Sequence, residues 1–250
     1  MAAIHPNHHE GDAAMRALVI KHDYVSEPGH VGARLIERGY ELDVVTVVPR
    51  ESHHAPAVAF DFPGADGWDL IVSLGAPWSV YDGDSVGTWI EGELALLREA
   101  HRTGVPVLGI CFGAQALATA LGGSVERAPR PEIGWTEVET DDPDLVPSGP
   151  WFQWHYDRFT PPPGAVELAR TSVGAQAFTV GRSLGVQFHP EATAEVVRGW
   201  IDFGGADQCT THNIDPTTLL TLTQTRDPDA RLRAAHLVDT FLDRVGAPVS

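Results

Sequence analysis

Val105-Pro-Val-Leu-Gly-Ile-Cys111-Phe-Gly-Ala-Gln115 is the stretch that decides how the rest of the chain is read. Val105 to Ile110 is an apolar, β-branched run long enough for one buried strand. Ala114 to Leu121, Ala-Gln-Ala-Leu-Ala-Thr-Ala-Leu, follows as a helical run that Gly122-Gly123 stops. Between the two sits Cys111, with Gly109 two residues before it and Gly113 two after. G-x-C-x-G at a strand-to-helix turn has the design of a nucleophile elbow: the turn exposes the side chain, and the glycines let strand and helix pack closely beneath it. The helix aims its first N–H groups and positive dipole end at the sulfur, which favours the thiolate. A free cysteine is also commonly a buried, inert thiol, and the elbow by itself leaves both readings open.

Working outward, Arg16 to Ile20 is a short strand ending at Lys21-His22-Asp23. Glu27-Pro28-Gly29 opens a helix that Gly39 stops, and Glu41 to Val48 is a second strand. Residues 50–67 are rich in His, Pro, Ala and Gly and read as a loop. Trp68 to Leu74 is a third strand, running into the turn Gly75-Ala76-Pro77. Thr88-Trp-Ile-Glu91 has the form of a capping box, opening a helix with Ile90, Leu94, Leu97 and His101 on one face and Gly104 at its end. This β-α-β-loop-β-α-β-α order predicts a three-layer, flavodoxin-like α/β fold: a mostly parallel central sheet with helices on both faces.

After Gly123 the texture changes. Residues 124–140, 166–171, 176–180 and 184–188 read as strands with tight turns, an antiparallel block added on one side of the sheet. Helices are expected around 194–203, near 216–223 and over 229–244. With no internal repeat and no linker, residues 15–246 read as a single domain. Residues 1–14 read as a disordered leader, polar and rich in histidine (His5, His8, His9), with Met15 as an alternative start.

Bulk properties narrow the class. The 250 residues, 43% hydrophobic, suffice for a full α/β core. A net charge of −17 argues against a nucleic-acid or anionic-membrane surface. No apolar run approaches the ~18 residues of a membrane span. Two cysteines fit a reducing, cytoplasmic setting without a disulfide framework. No functional metal site is read in the histidine cluster, and nothing calls for a cofactor.

Gly185-Val-Gln-Phe-His189-Pro190-Glu191 is the second informative segment. Pro190 biases His189 toward an extended backbone, in which His189 and Glu191 point to the same side. A carboxylate beside an imidazole accepts its N–H, fixes the tautomer and raises its basicity. Alone, His189 is as readily a structural histidine after a strand. Together, Cys111, His189 and Glu191 are the parts of acyl transfer through a thioester.

These two segments resemble the class I (triad) glutamine amidotransferase family. Leu74-Gly-Ala-Pro-Trp-Ser-Val-Tyr-Asp82 resembles its glycine-rich oxyanion loop, and Ile133-Gly-Trp135-Thr-Glu-Val138 and Trp154-His-Tyr-Asp157 resemble two further recurring segments. The resemblance covers nearly the whole chain after the leader. It implies hydrolysis of the glutamine side-chain amide, with Cys111 as nucleophile, His189 as acid and base, and Glu191 as its orienting carboxylate. It also implies an oxyanion hole from Phe112 and the Gly75-Ala76 turn, and a substrate held by Gln115, Asp157 and His155. Ala114 stands where many relatives have histidine, and Gly-Ala-Pro replaces the commoner Gly-Gly-Pro; both bear on which γ-glutamyl substrate fits.

Three functions follow from the resemblance. The first is a stand-alone amidotransferase passing ammonia to a separate synthetase partner, since no P-loop pattern is present to drive an acceptor step. The second is a self-sufficient γ-glutamyl hydrolase or peptidase acting on γ-glutamyl amines, its pocket shaped by the leader and residues 205–228. The third is a non-catalytic binding domain, against which the intact set of three argues.

Overall fold

Strands β1 (Met15–Lys21), β2 (Tyr40–Thr46), β3 (Leu70–Ser73), β4 (Val107–Ile110) and β9 (Ser183–Val186) form the parallel heart of a computed structural model, which describes residues 14–247. The leader expected over 1–14 lies almost wholly outside the described residues. The strands run in the order β2-β1-β3-β4-β9, so the connections leave β1 in opposite directions. That reversal is the flavodoxin-like pattern, with a crevice at the carboxyl ends of the strands.

Burial on both faces explains why the inner strands β1, β3, β4 and β9 are largely apolar, whereas the edge strand β2 carries Glu41 and Asp43 and is only partly buried. Leu18, Ile20, Ile71 and Val107 face one layer, made by α3 (Ile90–Thr103) and α4 (Phe112–Ala120). Ala17, Val19, Leu70, Val72, Leu108 and Ile110 face the other, made by α1 (Gly29–Glu37) and the end of α7 (Pro216–Thr240). The period-two alternation of strand side chains divides them between the layers.

Beyond β9 the sheet continues as β8 (Ala175–Val180), β7 (Val166–Arg170), β5 (Ser124–Thr140) and β6 (Gly149–Thr160), all paired antiparallel. This is the expected added block, with two differences: β6 lies over residues that carried no strand expectation, and β9 belongs to both parts of the sheet. Residues 184–188, read as part of it, supply β9, which pairs antiparallel with β8 but parallel with β4.

Three local expectations are corrected. Thr88 does not cap α3: the helix begins at Ile90 without a side-chain cap, and the Thr88 hydroxyl donates to the Val58 carbonyl at 2.7 Å. The neighbouring loop takes the group that the capping box needs. The two helices expected near 216–223 and over 229–244 are instead one, α7, which runs through Pro228. An interior proline costs about 3 kcal/mol of helix stability. Packing of α7 on α1 and on α5 (Ala194–Trp200) holds the two sides in line. The helix expected over 194–203 is α5 followed by a kink at Phe203 and Gly204, then α6 (Ala206–Thr211).

Candidate active site

Cys111 occupies the turn between β4 and α4 with φ +52° and ψ −105°, a backbone that costs an L-residue about 1–3 kcal/mol. Its surroundings enforce it. A Cβ on Gly109 would stand 2.7 Å from the Gly113 carbonyl oxygen, and one on Gly113 would overlap the carbonyl of Ser73. The elbow is also tied down from both flanking strands. Cys111 N–H donates to Val186 O at 2.8 Å, and Gly113 N–H to Leu74 O at 3.1 Å. β3 and β4 are neighbours, so the Gly75-Ala76 turn lies beside the thiol. A Cβ built on Gly75 would stand 3.1 Å from His189 Cε1 and 3.8 Å from Cys111 Cβ. Among the described residues, the N–H groups of Ala76 and Phe112 meet no protein acceptor.

His189 follows β9, with its N–H on Phe152 O at 2.8 Å. Its Nδ1–H donates to Glu191 Oε1 at 2.7 Å, which leaves Nε2 for the thiol side, where it meets no partner at bonding geometry. Burial opposes a charge on the ring. The Glu191 carboxylate and the Cys111 sulfur outweigh burial and push the His189 pKa up to about 10. The contact with Glu191 is made in a turn, with Ala192 N–H on His189 O at 3.3 Å, rather than along the extended segment expected. α1 holds this turn: His30 N–H donates to the Glu191 carbonyl at 3.1 Å, and only a glycine fits at position 29, where φ is +41°. The Trp200 ring packs on His189, centroids 4.8 Å apart.

The pocket over Cys111 is lined by Gly75, Ala76, Phe112, Gln115, His155, Asp157 and His189, among others. Gln115 donates from Nε2 to Gln187 Oε1 at 3.2 Å. Gln187 in turn places its amide 3.6 Å from the Cys111 sulfur. Asp157 accepts from the Ser79 hydroxyl and, at 2.8 Å, from the Tyr81 hydroxyl, and Arg127 Nη1 lies 3.9 Å away. Both ring nitrogens of His155 are taken within the protein, Nδ1 by Asp157 O at 2.9 Å and Nε2 by Glu132 at 3.1 Å. Glu191, Oε1 on His189, stands behind the ring rather than in the pocket lining.

Several lining residues carried no individual role from the sequence: Arg127 beside Asp157, with Ser79 of the expected oxyanion loop, and an aromatic wall of His53, Trp200 and Phe203 with Trp78 of that same loop. Behind the pocket, His22 and Glu93 form a fully buried pair at 2.9 Å. The one signal for Glu93 was a carboxylate on the core-facing stripe of α3, one turn from Leu97.

Residues 29–199 match the family model described as glutamine amidotransferase class-I, and the chain belongs to that family. A GMP synthase [glutamine-hydrolyzing] of Aeropyrum pernix is 35% identical over 199 residues, covering 74% of this chain and 36% of that protein. The corresponding enzyme of Thermus thermophilus is 38% identical over 159 residues, 55% of this chain and 28% of its own length. The match thus spans only about a third of these relatives. Among solved structures, a glutamine amidotransferase of Thermotoga maritima superposes with a TM-score of 0.79 at 26% identity, over 93% of this chain and all (100%) of that one. One from Methylobacillus flagellatus gives 0.80 at 25%, over 95% and 97%. Among the described residues, no helix is long and apolar enough to cross a membrane.

Proposed function

We propose that the chain hydrolyses the side-chain amide of glutamine through a γ-glutamyl thioester on Cys111, releasing ammonia to a separate synthetase partner. The observation that carries this reading is a cysteine on a strained elbow sharing one pocket with His189, whose ring is backed by Glu191. His189 takes the thiol proton, and the sulfur attacks the amide carbon. The oxyanion that forms is met by N–H groups of Phe112 and the Gly75-Ala76 turn. As the C–N bond breaks, His189 returns the proton to nitrogen, and ammonia leaves. His189 then deprotonates a water that attacks the thioester, and glutamate leaves as the thiol is restored. Glu191 keeps Nδ1 protonated and the ring aimed. Asp157 receives the substrate's α-ammonium, and Gln115 supports the pocket floor through Gln187.

The aromatic wall of His53, Trp78, Trp200 and Phe203 favours a second reading, a self-sufficient hydrolase of γ-glutamyl amines, because it gives an apolar leaving amine a surface to pack on. The experiment offers purified protein glutamine and a set of γ-glutamyl amines, reading ammonia or amine release and the mass of Cys111. Ammonia release stimulated by a partner synthetase supports the first reading; fast release of a larger amine by the chain alone supports the second. A Cys111→Ala variant with full activity defeats both.

A further inference from the structure

We infer that His22 and Glu93, buried behind the pocket, are positioning residues that hold the Gly75-Ala76 peptide so that its N–H faces the thiol. The inference rests on the amidase reading above.

The arrangement is built from three elements. His22 follows β1, Glu93 projects from α3, and Ser73 ends β3. His22 places Nδ1 3.1 Å from the Gly75 carbonyl oxygen and Nε2 2.9 Å from Glu93 Oε2. Ser73 donates its hydroxyl to Glu93 Oε1 at 2.7 Å. All three side chains are fully buried, with 0% exposure, so nothing in solvent stabilises this polar cluster. His22 packs against the rings of Phe112, 4.6 Å away, and Trp89, 5.6 Å away, which also pack on each other. It lies behind the pocket rather than among the groups that line it.

Proton placement follows from the partners. A carbonyl oxygen only accepts, so Nδ1 carries a hydrogen. The second proton, between Nε2 and Glu93, sits on one or the other, and in either case the Nδ1–H is retained. Burial disfavours a charge on His22; Glu93 and the Gly75 carbonyl outweigh it and leave its pKa above the ordinary value.

The consequence for catalysis is geometric. No peptide bond among the described residues is cis. In a trans peptide the C=O and the following N–H point in opposite directions. With the Gly75 oxygen drawn inward to His22, the Ala76 N–H is turned outward, to the side where Gly75 faces Cys111 and His189. That N–H meets no protein acceptor among the described residues. It is poised for an oxyanion that the ground state lacks. A loop of the sequence Gly-Ala-Pro has little else to fix the plane of this peptide, so a charge-linked anchor behind it substitutes for a rigid strand.

The test separates a role in oxyanion placement from a role in folding. The wild type, His22→Leu, His22→Asn and His22→Leu/Glu93→Leu are compared in hydrolysis of glutamine and of γ-glutamyl-p-nitroanilide, and in alkylation of Cys111 by iodoacetamide. Alkylation displaces iodide from carbon and builds no oxyanion, so it reports the thiol and the pocket but not the hole. In His22→Leu, kcat is expected to fall about 100-fold, the cost of a misplacement of order 1 Å, with KM within about twofold. The alkylation rate stays within about twofold of wild type. His22→Asn, whose amide N–H stands near the position of Nδ1–H, recovers kcat to within about tenfold. The paired leucine variant leaves no lone buried carboxylate and carries the same expectation if His22→Leu fails to fold. A kcat within threefold of wild type in the folded leucine variants overturns the inference, as does a parallel fall in kcat and alkylation, or an effect on KM alone. A wild type that turns over neither substrate defeats the amidase reading itself, and the positioning role with it.

Discussion

Gly29→Ala tests how a residue remote in sequence sets the proposed catalytic carboxylate. Gly29 has φ +41°, and a Cβ there would overlap the carbonyl oxygen of Glu191, the acceptor for His30 N–H. A non-glycine residue in left-handed backbone costs about 1–2 kcal/mol. Loss of the hydrogen bond adds about 1 kcal/mol. Against these, alanine lowers the entropy of the unfolded chain and returns about 0.4–1 kcal/mol. The net destabilisation is about 2 kcal/mol, or about 4–8 °C in Tm for a chain of this size. Because the overlap pushes the 189–191 turn away from α1, Glu191 shifts beneath His189, and kcat falls by about 10- to 100-fold. Gly67→Ala is the control: φ is +84° there, and no atom lies within 4 Å of an added Cβ. It bears only the backbone cost and keeps full activity. Thermal denaturation and glutamine hydrolysis, run side by side, decide the matter. If Gly29→Ala matches Gly67→Ala in Tm and the wild type in kcat, the coupling of α1 to Glu191 is wrong.

Three further outcomes are expected. Glu191 contributes to a His189 pKa of about 10, so Glu191→Gln moves the alkaline limb of kcat/KM down toward the ordinary histidine value of about 6.5, as read from a pH–rate profile. The same shift links to stability. The His189 contribution is complete below about pH 6.5 and is lost as pH rises toward 10, so chemical denaturation over that range shows a decline that Glu191→Gln flattens. Asp157→Asn removes a charge-assisted contact of about 1.5–3 kcal/mol, which raises KM for glutamine about 10- to 100-fold with a smaller effect on kcat; an unchanged KM excludes Asp157 as the ammonium site.

Legibility in the sequence followed locality. Gly109, Cys111 and Gly113 lie within one turn, so spacing alone announced a strand-to-helix elbow. The His189–Glu191 contact was expected from two residues two apart, although the turn at Pro190, rather than strand alternation, makes it. Thr88 shows the reverse case: its capping box is good local chemistry, yet the loop carrying Val58 reaches its hydroxyl instead. Pro228 likewise marks a local break that packing against α1 and α5 overrides.

By itself, the sequence determined the order of strands and helices as far as Gly123, the apolar runs that must be buried on both faces, and the residue types of the site. These follow from periodicity and steric rules that act over a few residues. Only the tertiary structure decided that β9 closes the parallel sheet beside β4 and carries His189 to the carboxyl edge where Cys111 stands. It alone joined His22 to Glu93 behind Gly75 and set Gly29 against Glu191. Such pairings depend on which surfaces meet once the layers are packed, and no spacing along the chain encodes that distance.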